Sequence, residues 1–200
     1  MDSFNPEYQN NHVEGKIVVA LERISEAFRV LLWQEGKKNG LTPIQLQLLL
    51  FIRFHTPEKC KVNYLAKEFN LTKATISETI RLLTKKELIY KQTDAEDTRS
   101  FSVYLTNKGE NIVSKTGSFS TGIEKPVHSL SEEQQQQLYQ SLLNIIESLN
   151  KAGIITVQRM CFSCRYYRAG EDNDYCNLLK KVLLKPDLRI DCPEHQAIIT

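Results

Sequence analysis

The chain has 200 residues, 41% hydrophobic and 25% charged, with 26 Lys/Arg against 24 Asp/Glu for a formal net charge of +2. That is enough for one good core plus a small appendage, and the composition is ordinary for a soluble globular protein. No run approaches the ~20 apolar residues of a membrane span. The opening residues MDSFNPEYQNNH also lack the basic-then-apolar layout of a signal peptide, so a cytoplasmic protein with no membrane partner is expected.

In chain order, a long helix is predicted over about 13–35, with Ile17, Ala20, Leu21, Ile24, Phe28, Leu31 and Leu32 on one broad apolar face. Thr42, Pro43 and Gln45 then combine a hydroxyl cap, a proline at the first helical position and a capping-box partner, which starts a helix running through residue 54. Asn63 is expected to cap a short helix over 64–69, and Thr72 a longer one over 73–86, with Asn70 and Leu71 as the turn between them. Ile76, Ile80 and Leu83 mark the core side of that longer helix. Its opposite arc carries Ala74, Thr75, Glu78, Arg81 and Lys85, which are charged, hydrogen-bonding or small enough to approach base edges, and Lys73 and Ser77 in the first turns join them as DNA-binding candidates.

Residues 88–93 and 100–105 are rich in Ile, Tyr, Phe and Val and read as strands. Their connection, DAEDTR, is too long and too charged for a tight hairpin. Arg99 has Asp94 and Asp97 close by to hold its guanidinium in a fork, and an arginine at such a tip suits the enhanced negative potential of a narrow minor groove. Two short helices followed by a charged hairpin make a winged helix-turn-helix, a fold in which one helix enters a DNA major groove and the loop reaches the next minor groove.

Thr106 can cap a further helix through Glu110 and Val113. Two glycines and a proline in GSFSTGIEKPVHS predict a bend or break after it. Ser131 and Gln134 form a second capping box, opening a helix with Leu138, Leu142, Ile145, Ile146 and Leu149 on its apolar side. The expected fold class is therefore mainly α with a small β-hairpin wing (α+β). Its expected parts are 1–40 (N-terminal dimerisation helix), 41–116 (winged helix-turn-helix), 117–155 (linker and C-terminal dimerisation helix) and 156–200 (cysteine-rich extension).

The run from residue 41 to 109 resembles the MarR family of winged-helix regulators. The resemblance is carried by an LT-x-x-G close (Leu105, Thr106, Gly109) and a D-x-x-D-x-R wing (Asp94, Asp97, Arg99), and it extends over about 13–153. Two positions depart from the family pattern. Glu96 stands where the wing commonly has a basic residue, and Glu78 stands at a helix position that is often basic. The resemblance implies a sequence-specific regulator of transcription that binds double-stranded DNA, with Lys73, Ala74, Thr75, Ser77, Glu78, Arg81, Lys85 and Arg99 at the interface. It also implies a homodimer on a palindromic operator, with the terminal helices interlocked through Ile17, Leu21, Ile24, Phe28, Leu138, Leu142, Ile145 and Leu149, and a small-molecule effector of phenolic or lipophilic type. The alternative for those helices is packing on each other within one chain. Charge agrees with a DNA-binding unit: residues 53–108 hold 11 Lys/Arg against 7 Asp/Glu, as counterion release requires.

The last segment carries four of the five cysteines. Cys161 and Cys164 form C-x2-C, Cys176 follows after eleven residues, Cys192 after fifteen more, and His195 completes C-x2-H. In a reducing compartment this spacing points to a metal rather than to disulfides, and a metal would supply folding energy that the few apolar residues between the cysteines cannot. One Zn2+ held by Cys161, Cys164, Cys176 and Cys192 fits, with His195 as a substitute ligand. A [4Fe-4S] cluster takes the same four thiolates, and Pro193 directly after Cys192 leans that way. Cys60 reads as a small residue outside the site, with Lys59 and Lys61 able to lower its pKa. An enzyme built on the cysteines is the competing class. It fares poorly because four thiolates leave zinc no open position and no Ser-His-Asp set, phosphate loop or carboxylate pair appears. A protein-interaction module that uses the winged scaffold without DNA remains the other alternative.

Overall fold

The computed structural model describes residues 2–93, 100–116, 119–171 and 173–198. The wing tip, with Asp94, Glu96, Asp97 and Arg99, lies outside the described residues.

A short helix α1 (Pro6–Asn11), which the sequence pattern does not announce, precedes the long α2 (Val13–Lys38). Helix α3 (Pro43–Phe54) opens with both bonds of the Thr42/Gln45 capping box and buries Leu46, Leu48, Leu49, Phe51 and Ile52. Helix α4 (Val62–Glu68) begins before the expected cap. Asn63 is therefore inside the first turn, and the N-cap residue is Lys61, whose side chain does not cap the helix. Asn70 takes a positive φ of 52°, a region that asparagine tolerates better than most residues, and this reverses the chain between the helices. Helix α5 (Lys73–Lys85) starts where Thr72 Oγ1 accepts from the Thr75 amide at 3.1 Å. Ile76, Ile80 and Leu83 are fully buried.

Strands β1 (Ile89–Thr93) and β2 (Phe101–Leu105) pair antiparallel, with Ile89 opposite Leu105 and Thr93 opposite Phe101. The amide of Val103 also donates to the Cys60 carbonyl at 3.1 Å, tying the hairpin to the turn before α4. The LT-x-x-G close has a local cause. The Thr106 hydroxyl donates to the Glu87 carbonyl and accepts from the Gly109 amide, while a Cβ on Gly109 would lie 2.1 Å from the Leu88 carbonyl oxygen. Only glycine permits that approach.

The expected break follows: α6 (Asn107–Thr116) and α7 (Thr121–His128) are separate helices. Helix α8 (Glu132–Lys151) opens with both bonds of the Ser131/Gln134 capping box. Beyond it, β3 (Tyr167–Arg168), β4 (Asp174–Cys176) and β5 (Lys181–Leu183) form a three-stranded antiparallel sheet in the order β3-β4-β5. No helix among the described residues is long and apolar enough to cross a membrane.

The described residues form two cores. The larger joins α3, α4, α5, the hairpin and α6, with Leu32 and Leu41 from the N-terminal side. The smaller consists of Leu143 from α8 with Met160, Leu183 and Leu188, flanked by Tyr139, Ile146, Phe162 and Tyr167. The face of α8 that is covered within the chain is thus Tyr139, Leu143 and Ile146. Leu138 and Ile145 stand about a quarter-turn around the helix and are exposed, as are Ile17, Ile24 and Phe28 on α2.

Candidate nucleic-acid interface and cysteine module

Helix α5 is positioned from its buried side. With Ile76, Ile80 and Leu83 locked into the larger core, the helix can present only its other arc to solvent, and Lys73, Ala74, Thr75, Ser77, Glu78, Arg81 and Lys85 are all exposed. Thr75 Oγ1 lies 2.9 Å from Thr72 Oγ1, so the helix start is a small hydroxyl cluster. Arg81 and Glu78 form a two-pronged ion pair, Nε to Oε2 and Nη2 to Oε1, both at 2.7 Å. The hydrogen bonds from Arg81 hold the Glu78 carboxyl below its ordinary range. These two residues thus bind each other, and any approach of Arg81 to a phosphate or base competes with Glu78. The hairpin lies beside α5, with Tyr90 and Tyr104 stacked across the strands at 5.4 Å.

The segment after α8 is anchored to the helix-turn-helix itself. The Thr156 hydroxyl donates to the Lys67 carbonyl at 2.6 Å, and Asn70 Nδ2 donates to the Ile154 carbonyl at 3.1 Å, so the turn between α4 and α5 is held from outside. Arg159, only 7% exposed, is the centre of this junction. It donates to Asp191 from Nε at 2.6 Å and from Nη2 at 3.1 Å. It also donates to both carboxylate oxygens of Glu68 on α4, and it lies over the Phe51 ring. Burial opposes the guanidinium charge, but the bonds to Asp191 and Glu68 more than reverse that and keep the group protonated. Asp191 also accepts from His55 Nε2 at 3.1 Å, while the His55 ring stacks on Phe51. Burial works against the Asp191 carboxylate too, yet the Arg159 and His55 bonds hold it below its ordinary range. No sequence pattern marks Arg159; the one available hint is a lone arginine between Val157 and Met160 in a stretch without helical period.

The four cysteines of the extension sit on connected backbone. Cys161 opens a 3-10 turn (Cys161–Ser163), and the Cys164 amide donates to the Cys161 carbonyl. The Tyr167 amide donates to the Cys164 carbonyl, and Tyr167 pairs with Cys176 across β3 and β4. The Cys192 amide donates at 3.0 Å to the carbonyl of Arg159, which stands two residues before Cys161. The Arg189 amide points at Cys161 Sγ at 3.3 Å, and Arg189 Nη1 lies 3.7 Å from Cys192 Sγ. Burial pushes the Cys161 and Cys192 thiols up. Among the described residues no three His, Cys, Asp or Glu side chains stand in a ready metal cage. The donor set is soft, its backbone is gathered, and two of its sulfurs face N–H groups that favour thiolate, so four-thiolate ligation is compatible with the residues present. His195 places Nε2 3.0 Å from the Ser163 hydroxyl, and burial holds its imidazole below the ordinary range.

Cys60 is a correction. It is 1% exposed, and burial, reinforced by Glu58, pushes its thiol up to about 11, with Lys59 only partly offsetting. The neighbouring lysines do not activate it, because desolvation of a thiolate outweighs a solvent-screened charge.

An exposed polar arc on a core-locked second helix, followed by an antiparallel hairpin, defines a winged helix-turn-helix protein. Residues 39–100 of the 200 match the MarR family model. The fold is similar to that of the MepR–DNA complex of S. aureus, with 29% identity and a TM-score of 0.59 over 66% of this chain and 97% of that one. S. aureus MepR in its DNA-binding conformation matches equally, at 29% identity and TM-score 0.59, covering 66% and 98%. A MarR transcriptional regulator from Methanosarcina mazei Go1 shares the fold at 20% identity and TM-score 0.59, covering 68% and 97%.

Proposed function

We propose that the protein is a sequence-specific regulator of transcription that binds double-stranded DNA as a homodimer on a palindromic operator. The observation that carries this is α5: three fully buried aliphatics hold it, and its whole polar arc is left at the surface beside the hairpin. That is the geometry by which a helix-turn-helix offers base-contacting residues to a major groove. The similarity to S. aureus MepR, solved with DNA, supports the same reading. Arg99 would extend it to the minor groove.

Dimerisation is supported by exposed apolar side chains on the two terminal helices. Ile17, Ile24 and Phe28 on α2 and Leu138 and Ile145 on α8 are each more than a third exposed in the single chain. Leu21, Leu142 and Leu149 are half-buried on the same faces. Such stripes call for a cover, and a second copy gives the two-fold symmetry that a palindrome requires. A cleft of about 750 Å³, lined among others by Lys59, Tyr64, Glu147 and Phe162, is large enough for a small effector.

The test is selection of bound duplexes from a random-sequence pool, together with the solution mass of the full chain. The reading expects enrichment of a sequence with two-fold symmetry and a mass of twice 23.1 kDa. It also expects that Leu138→Glu combined with Ile145→Glu halves the mass and abolishes enrichment. A folded protein that enriches nothing would favour the interaction-module alternative.

A further inference from the structure

We propose that Cys161, Cys164, Cys176 and Cys192 bind one thiophilic metal centre, and that this centre sets the Arg159–Asp191 clasp that holds the helix-turn-helix. When the ion is Zn2+, each thiol would release its proton to solvent as its sulfur binds, with no change of oxidation state.

Two observations carry the first half. The small core under the sheet is too slight to order the segment by itself. It has four buried residues, one of them borrowed from α8, while Leu178, Leu179, Val182 and Leu184 remain exposed. A segment of this kind depends on a staple other than its core. The four cysteines are also tied together through backbone: the Cys161–Cys164 turn, the Tyr167 bridge from Cys164 to Cys176, and the Cys192 amide on the carbonyl of Arg159, two residues before Cys161. The four sulfurs do not form a cage as they stand among the described residues, and that of Cys192 faces Glu194.

The second half follows from where the ligands fall. Arg159 is two residues before Cys161, and Asp191 directly precedes Cys192. Arg159 and Asp191 face each other in an isolated bridge, and their side chains form the buried pair that reaches Glu68 on α4. Ligation of Cys161 and Cys192 to one centre would pin both ends of that bridge. Without it, the bridge is held by backbone bonds, by the pair itself, and by the contacts of Arg159 with Glu68 and of Asp191 with His55. Metal state would thereby pass to α4 and to the Asn70 turn, which Thr156 and Ile154 also hold. The consequence for DNA rests on the reading of α5 given above.

The experiment uses the full chain, purified anaerobically, with metal content, absorption spectrum and backbone hydrogen exchange measured before and after chelation. One metal centre per chain is expected: zinc without colour, or iron with matching sulfide and visible absorption. Both support the proposal and they distinguish the two forms. Cys176→Ser and Cys192→Ser should each lose the metal, and Cys60→Ser should keep it. Because a cysteine variant can fail for lack of folding, Co2+ titration of the stripped wild-type protein, read by thiolate-to-cobalt absorption, checks ligation without mutation. Chelation should speed exchange at the amides of Leu65 and Leu71, and Arg159→Met should do the same with the metal still bound. Full metal content in the Cys176→Ser and Cys192→Ser proteins, or no uptake of Zn2+ or Co2+ by reduced wild type, would overturn the site. Exchange in α4 that ignores both chelation and Arg159→Met would overturn the coupling. Those readouts involve no DNA, so a protein that passes them and binds no duplex would refute only the DNA reading.

Discussion

The winged helix and the cysteine module are stabilised in opposite ways. The first holds a contiguous core in which Leu46, Leu48, Leu49, Leu65, Ile76, Ile80 and Leu83 are fully buried. The second shares four buried apolar residues with α8 and is fastened to its neighbour by a charged pair, a few backbone bonds and one borrowed leucine. A region of the first kind keeps its shape whatever it binds. One of the second kind can respond to what it binds, since little apolar burial has to be undone for it to open locally.

Core truncation separates the two regions most sharply. Leu46→Ala should cost about 2–5 kcal/mol of global stability, lowering the midpoint of denaturant unfolding with the slope unchanged. Leu183→Ala should leave that midpoint nearly in place and show its effect as faster hydrogen exchange confined to residues 156–198. If Leu183→Ala lowered the main transition as much as Leu46→Ala, the two regions would be one cooperative unit.

The clasp comes next in size. Arg159→Ala leaves Glu68 and Asp191 facing each other without their cation, and removing one partner of a buried pair costs roughly 3–5 kcal/mol. The low end is expected here, because the Asp191 side chain is 44% exposed and solvent screens it. The effect should appear as detachment of the module, seen by limited proteolysis near residue 156, with the winged helix still folded. Cleavage rates equal to wild type would show that the clasp holds nothing.

Acid should loosen the same junction, and more gently. Asp191 is held below its ordinary value of 3.8, so its contribution is present above that pH and is lost as pH falls through the lower, folded value. Module detachment should therefore be absent at pH 5 and develop only below about pH 3.8, with Asp191→Asn detaching at neutral pH. Detachment centred near pH 6 would implicate another group.

The same two regions differ in how much of them a sequence can show. Helices α3, α5 and α8 are legible because their starts are written in side-chain chemistry: Thr42 with Gln45, Thr72 with the Thr75 amide, Ser131 with Gln134. Asn63 is not a cap because α4 starts at Val62, a shift that short-range capping chemistry cannot resolve. The apolar stripe expected on α8 comprises Leu138, Leu142, Ile145, Ile146 and Leu149. The residue with the deepest burial is Leu143, whose partners Met160, Leu183 and Leu188 are distant in sequence and carry no periodic signal. Strands of two or three residues are too short for alternation to show, so the module's sheet is invisible in the sequence and only its cysteine spacing stands out. Arg159 gives no local signal either, because its importance depends on Glu68 and Asp191, which stand 91 and 32 residues away.

The central claim, that the exposed arc of α5 reads duplex DNA, is tested most directly by affinity for a selected duplex across a salt series. Wild-type affinity should fall linearly on logarithmic axes, and Lys73→Ala with Lys85→Ala should flatten the slope by roughly 0.9 for each phosphate no longer neutralised. An affinity independent of salt, or a slope unchanged when both lysines are removed, would contradict the account.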